Sequence, residues 1–512
     1  MENNKITLTN SLPRSMRVLH CAKEMKEAIL LLLIILLPTL LFAQANQVVQ
    51  NRPIVFRNVV LIDMRSEQPK PNMTVLISGN RIAKIGKNIK IPKNAEVVDA
   101  SGKFLIPGLW DNYTYTLEAV KNNFPYFELL IAHGVTGVRD VGTSMDLREA
   151  ARLRSEINAG RILAPRLFYA GTVLIGEMPP RKSNRWTGIS TVVKAAEEAE
   201  KSVESLALSG VDHIKTEKRL PPEILKAVIA AAHKYKLRVV AVPPSFIADA
   251  SNDGLDCVEH AAEIFRETSN KRNEYYALYR DRKIDRMTID ENYAFFGTME
   301  TDVPYYTETL KTLARNRTCA CTNAVQTATF VGDFEMADRS RRRFKTKKQL
   351  EQLEAEIAER ERQIRNQDYR MSDKNRKRHF REILDLHRAG VMLLAGTQLN
   401  HGAIGTPGLV LHDELALFVQ AGMSPFEALK TATVNPAKFM RREKDLGTIE
   451  TGKLADLILL DANPLADISN TRKIISVIVN GRLLNRKDLD EMLNKVEEES
   501  KWNGGKRKQL KR

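Results

Sequence analysis

Ile106-Pro-Gly-Leu-Trp-Asp-Asn-Tyr-Thr-Tyr115 is the stretch on which the reading of this chain turns. An apolar run ends in Pro107-Gly108. A strand-like alternation then carries Asp111, Tyr113 and Tyr115 on one face. The segment divides two regions of different character. Upstream, residues 53–105 hold short β patterns at Ile54 to Ile62, Met73 to Ser78, Arg81 to Ile85 and Glu96 to Asp99, with Gly79-Asn80 as a tight hairpin signal. Downstream, apolar strand-like runs alternate with amphipathic helices.

The β character returns near the C-terminus, at Ala455 to Asp461 and Ile474 to Asn480, followed by the turn Gly481-Arg482. Neither block alone has enough strands to cover both faces of a sheet. Residues 53–105 and 446–485 are therefore expected to form one small β-sandwich domain closed by both chain ends. Between them, residues 106–440 read as an α/β fold, a (β/α)8 TIM barrel. After the opening strand come Gly134 to Asp140, Arg166 to Ala170, Val211 to Lys215, Arg238 to Val242, Gly254 to His260, Thr318 to Thr322 and Val391 to Thr397. Helices are expected near Lys194 to Ser209 and Pro222 to Tyr235. Residues 336–385 interrupt the pattern with a charged helical insertion, in which Leu350, Leu353, Ile357 and Ile364 recur at helical spacing. It reads as a solvated helix packed along one stripe, or as a lid or dimer contact over the barrel mouth. Residues 488–512 read as a charged tail, fraying beyond about Lys501.

A chain of 512 residues with 43% hydrophobic content can bury a large core. Its net charge is +16. Much of that excess is local, in Arg339 to Lys348, Lys374 to Arg381 and Lys506 to Arg512, and aromatic residues are not interleaved with it. Solvated or envelope-facing basic surface fits better than a nucleic-acid partner. Residues 1–45 read as a secretory signal peptide, with Lys23 and Lys26 before a short apolar core that ends at Ala43-Gln44-Ala45. The unbroken apolar run before Pro38 is about ten residues, short for a membrane span. Met25 is an alternative true start, and an uncleaved membrane anchor is the alternative reading of the leader. Export to the periplasm or the extracellular space is expected, with membrane contact only through an uncleaved leader. Cys257, Cys319 and Cys321 follow the leader. Cys319 and Cys321 share a strand face, where a mutual disulfide would be strained, and buried free thiols are expected.

Several motifs together resemble the amidohydrolase superfamily, especially its imidazolonepropionase-like and prolidase-like branches. They are Pro107-Gly-Leu-Trp-Asp111, Ala132 to Asp140, Gly422 to Leu429, Thr431 to Ala437 and Gly447-Thr-Ile-Glu-Thr-Gly-Lys-Leu-Ala-Asp-Leu457, and the resemblance covers about residues 53–485. It implies a barrel whose strand ends carry two divalent metals. In that family the ligands are histidines on strands 1, 5 and 6, a carboxylated lysine on strand 4 and an aspartate on strand 8. The metals share a hydroxide, and the aspartate moves its proton. Carried over residue by residue, Lys215 and His260 remain. Tyr113 and Tyr115 replace the strand-1 histidines, Pro243 replaces the strand-5 histidine, and Gln398 replaces the aspartate.

Proline has no ligand atom, Gln398 cannot act as a carboxylate base, and neutral tyrosine is a poor zinc ligand with an ordinary pKa near 10. Lys215 and His260 fall short of the roughly three protein ligands of a catalytic zinc. No cofactor is therefore expected, the alternative being one zinc or another divalent metal. Without metals Lys215 should be an ammonium paired with Glu217 or Asp111. Alternatively, Asp111, His213, Lys215 and Glu217 form a polar cluster capable of acid–base chemistry. His412 reads as structural.

Three functions remain open. One is an exported pseudoenzyme that binds a small-molecule or peptide-like ligand or serves as a scaffold. The second is a residual hydrolase of C–N bonds in an amide, cyclic amide or dipeptide. The third is an envelope interaction protein using the basic insertion.

Overall fold

The computed structural model describes residues 52–501 apart from residue 123, residues 178–187, 218–219, 243–245, 262–263, 327–341, 366–372 and 399–404, and most of 282–294. The leader and Pro243 lie outside the described residues.

Strands from both ends of the chain form one sheet. They are Ile54–Leu61, Lys70–Ser78, Arg81–Gly86, Glu96–Asp99, Phe104–Pro107, Leu457–Leu460, Ile474–Val479 and Arg482–Asn485. The junction is the antiparallel pairing of Phe104–Pro107 with Leu457–Leu460. The far edge turns back on the C-terminal segment, where Ile82 N donates to Lys453 O and Ala455 N donates to Asn80 O, both at 2.9 Å. The sheet thus rolls over its own core of Phe56, Val75, Ile77, Leu105, Leu457 and Ile478. Rolling gives partners to backbone that would otherwise be a bare edge.

The barrel strands are parallel. Leu109–Thr114, Val135–Asp140 and Arg166–Tyr169 form one group. His213–Thr216, Arg238–Ala241, Cys257–Glu259, Cys319–Cys321 and Leu393–Leu394 form another. Backbone hydrogen bonds join the groups on both sides. Asp212 N donates to Tyr169 O, Asn112 N to Ala395 O and Gln398 N to Tyr113 O, each at 2.9 Å. The last two depend on Gly396, where a Cβ would lie 2.6 Å from Cys321 Sγ and 2.8 Å from Tyr113 Cβ. Only glycine allows the eighth strand so close to the first. Two short strands that the sequence does not announce, Val173–Ile175 and Ser190–Val192, follow the third barrel strand.

The outer helices form where apolar residues recur every three or four positions. Ala196–Leu208 buries Ala199, Val203 and Leu206. Pro222–Lys234 starts on a proline that needs no intrahelical donor there. Within the insertion, Lys347–Arg365 and Asp373–Arg388 are helical and Leu353 is buried; the side chains of Ile357 and Ile364 lie outside the described set. Arg486–Lys501 is a helix, which buries Leu489, Leu493 and Val496. Leu493 and Val496 pack against Leu129 and Ala132 of the helix Tyr126–Ala132, so this part of the charged tail belongs to the fold.

Cys257 and Cys319 are joined by a disulfide, and Cys321 is a buried free thiol. This corrects the expectation of free thiols throughout. The register places Cys257 directly opposite Cys319 on neighbouring strands, with the Cα atoms 4.4 Å apart. That geometry suits a disulfide, whereas Cys321 sits one layer along on the same strand.

Candidate functional site

The eight barrel strands are numbered in chain order from Leu109–Thr114 (strand 1) to Leu393–Leu394 (strand 8), leaving out Val173–Ile175 and Ser190–Val192. Inside the barrel, Lys215 projects from strand 4, His213–Thr216, and Glu259 from strand 6, Cys257–Glu259. Parallel register sets Lys215 beside Val240 and Glu259 beside Cys321. Lys215 Nζ donates to Glu259 Oε2 at 3.0 Å. Arg139 Nη2, from strand 2, lies 2.6 Å from Glu259 Oε1, an ionic contact without hydrogen-bond alignment. The side chains of Lys215, Glu259 and Arg139 are 0% exposed. Two cations therefore share one carboxylate in a dry interior. Burial pushes the Glu259 carboxyl up, but Lys215 and Arg139 together outweigh burial and leave it below its ordinary value.

This corrects the partner expected for Lys215. Asp111 is engaged elsewhere: it accepts from Thr397 Oγ1 at 2.6 Å, Thr397 N at 3.0 Å and Tyr113 N at 3.2 Å. Burial raises its pKa to about 6. Glu217 lies one layer nearer the mouth, half-buried, where its charge acts on Tyr113. His213 lies one layer the other way, toward the N-terminal ends of the strands. Because side chains two apart on a strand occupy successive layers, the barrel does not gather Asp111, His213 and Glu217 around Lys215.

Tyr113 is the roof of the ion-pair cluster. Its ring centroid is 5.2 Å from Lys215 Nζ, and its hydroxyl is 3.3 Å from His260 Nε2. Burial, with the neighbouring Tyr115, Glu259 and Glu217, pushes the phenol well above its ordinary pKa, so it is a neutral donor. The Tyr115 ring sits edge-on to it at 6.0 Å.

His260, Asn323 and Gln398 follow strands 6, 7 and 8 with φ of 53°, 50° and 54°. Left-handed backbone at three strand ends is costly for residues with a Cβ and is held here by hydrogen bonds. His260 N donates to Asn323 Oδ1 at 3.3 Å, and Asn323 Nδ2 donates to Gly396 O at 2.9 Å. Gln398 Oε1 is buried without a hydrogen-bond partner in the described protein.

Arg139, Glu259 and Asn323 had no site role in the sequence reading. Glu259 precedes His260 and Arg139 precedes Asp140 inside motifs that were otherwise read as family marks. Asp140 is structural in this arrangement. It accepts from Leu117 N at 2.9 Å and Gly142 N at 3.1 Å, and burial raises it to about 8. His412 is also buried in the scaffold, with Nε2 3.0 Å from His133 O and Nδ1 2.9 Å from Thr471 Oγ1. Among the described residues, no group of three His, Cys, Asp or Glu side chains is arranged to hold a metal ion.

A rolled β domain on a parallel barrel, with strand-end residues converging at its centre, defines an amidohydrolase-type architecture. A profile of the amidohydrolase family matches residues 126–484, and the chain belongs to that family. The imidazolonepropionase of Geobacillus sp. (strain WCH70) is 41% identical over 81 residues, which is 16% of this chain and 18% of that enzyme. The 5-methylthioadenosine/S-adenosylhomocysteine deaminase of Caldanaerobacter subterraneus subsp. tengcongensis is 32% identical over 112 residues, 17% of this chain and 26% of the relative. The chain therefore spans less than a third of the length of either. A solved Xaa-Pro dipeptidase with bound methionine superposes with a TM-score of 0.60 at 21% identity, over 85% of this chain and all of that one. Bottromycin amidohydrolase gives 0.67 at 19% identity, over 88% and 91%. These likenesses show the fold.

Proposed function

We propose that this is an exported amidohydrolase-fold protein that has given up metal-dependent hydrolysis. Its barrel mouth holds a small or peptide-like ligand, or serves as a scaffold, above a fixed ion-pair cluster. The observation that carries this reading is the Lys215–Glu259 pair at 3.0 Å, with Arg139 on the other carboxylate oxygen. A lysine that bridges metals carries a carbamate and therefore a negative charge. Here the lysine donates to a carboxylate, and a divalent ion beside Lys215 and Arg139 would meet two cations at short range in a low-dielectric interior. Tyr113, buried and held neutral, supplies no anionic ligand in compensation. The residues present do not fit a pair of divalent ions.

What remains at the mouth is recognition chemistry. Tyr113 offers a phenol, His260 a ring, and Gln398 an amide whose oxygen has no hydrogen-bond partner among the described residues. Apolar walls with a few convergent polar groups suit a small ligand.

The test is elemental analysis of protein purified with zinc or manganese supplied, together with hydrolysis assays on dipeptides and cyclic amides. Metal well below one ion per chain and no turnover are expected. Near-stoichiometric zinc that disappears in Lys215→Ala or His260→Ala would overturn the reading in favour of a residual C–N hydrolase.

A further inference from the structure

The barrel has a second feature at its other end. A cavity of ≈ 270 Å³ opens among the N-terminal ends of strands 3 to 5 and the segment after the helix Val434–Phe439. Five cationic side chains line it: Arg139, Lys236, Arg238, Arg441 and Arg442. The carboxylate in the lining, Asp212, is already committed to Arg154 Nη1 at 2.7 Å and Tyr169 N at 3.0 Å. Arg442 is paired with Asp445 at 3.0 Å. Arg139 is in ionic contact with Glu259 through Nη2 and Arg238 lies 3.9 Å from Asp256, so the excess of positive charge comes from Lys236 and Arg441 at the rim of the concave space.

Charge alone would be a solvated patch. The donors deeper in the cavity are different. Arg139 is fully buried, and its Nε and Nη1 have no hydrogen-bond partner in the described protein. Arg238 Nε is buried without a hydrogen bond, with Asp256 Oδ1 3.9 Å away. His213, 2% exposed, lines the same space, and its Nε2 is unpartnered too. Both guanidinium groups face the Phe439 ring, at 5.3 and 5.0 Å from its centroid. A ring face attracts their charge but does not satisfy their N–H groups.

Buried guanidinium N–H groups left unbonded are costly, and native proteins almost always give such groups a partner. Burial, with Arg139 and Lys215 nearby, holds His213 well below its ordinary pKa, so its ring is a neutral hydrogen-bonding group. We propose that this cavity binds a phosphate-class oxyanion, free or carried by a small molecule, on the N–H groups of Arg139 and Arg238 beside His213. Planar guanidinium donors match tetrahedral oxyanions better than they match halides. The volume lies just under the ~300–1,000 Å³ of ordinary small-molecule sites, so the ligand is an oxyanion with at most a short substituent. Lys236 and Arg441, exposed at the rim, steer it inward, and Arg441 Nη1 holds the rim together by donating to Lys236 O at 3.2 Å. The site is joined to the strand-end cluster through Arg139, whose Nη2 contacts Glu259 while its Nε and Nη1 are left for the cavity.

The test is a calorimetric titration of the mature protein with inorganic phosphate, and in parallel with glycerol phosphate, against sodium chloride at matched ionic strength. Saturable one-to-one phosphate binding is expected. The double variant Lys236→Glu/Arg441→Glu changes only exposed side chains and should weaken it about tenfold or more. Lys234→Glu, exposed on the neighbouring helix but outside the cavity, should leave binding within about twofold. Tighter binding of glycerol phosphate would identify a phosphorylated small molecule as the ligand, and tighter binding of inorganic phosphate would identify the free anion. Phosphate binding no stronger than chloride binding, or binding indifferent to the rim charges, would overturn the proposal.

Discussion

Glu259→Gln and Lys215→Met should have very unequal costs, because the buried cluster holds two cations and one anion. Glutamine at 259 keeps the shape but removes the charge that neutralises both Lys215 and Arg139, which are 0% exposed. Leaving buried charge uncompensated costs about 3–5 kcal/mol. Methionine at 215 removes one cation, keeps the Arg139–Glu259 contact and fills a similar volume beside the Tyr113 ring, where a thioether is well tolerated. That change should cost about 1 kcal/mol or less. Urea unfolding at neutral pH reads the difference directly. With a slope of a few kcal/mol/M, Glu259→Gln should lower the midpoint by about 1 M and Lys215→Met by a few tenths. Equal losses, or a larger loss for Lys215→Met, would refute the shared-carboxylate account. Such a result would point to Lys215 acting as a bridge to something else, such as a metal-bound carbamate.

Burial raises Glu382 from its ordinary value near 4.5 to about 8, with Arg378 only partly offsetting this at 4.0 Å. The native state therefore holds that proton longer than the unfolded chain does, and stability declines as pH rises from about 4.5 toward 8. Urea midpoints at both ends of this window should show that decline, and Glu382→Gln should make it shallower, with Asp140 and Asp111 contributing in the same sense; an unchanged slope in the variant would exclude Glu382 as a source. Export predicts a mature N-terminus after Ala43 or Ala45, and N-terminal sequencing that finds Met1 or Met25 would exclude cleavage. Non-reducing peptide mapping should recover a Cys257–Cys319 cross-link and an alkylatable Cys321 once the protein is denatured, whereas three alkylatable thiols would refute the disulfide.

The architecture was readable in the sequence because it rests on local signals. Strand alternation, the Gly79-Asn80 turn and the Gly447 to Leu457 motif each act within a few residues. The site was only half readable, because its contacts cross the barrel. Lys215 could be seen to need a carboxylate, but Glu217 and Asp111 were the candidates that spacing suggested. The partner, Glu259, is two strands away and faces inward only because of register. Cys257 and Cys319 are 62 residues apart in sequence and directly opposed in the barrel. The orphaned donors of Arg139 and His213 have no sequence signature, since whether a buried N–H finds a partner depends on the whole packed surround.

The rolled sheet has a consequence for how the chain is made. Its N-terminal half ends at Phe104–Pro107, whose hydrogen-bonding partner is Leu457–Leu460. Roughly 350 residues separate them, and at about 5–20 residues per second the first half waits some 20 to 70 s for the second. During that interval its apolar inner face and an open strand edge are available to any neighbour. The strand that closes the sheet is therefore the last to receive its partner as the chain is made, and until then Phe104 to Pro107 presents an unpaired edge.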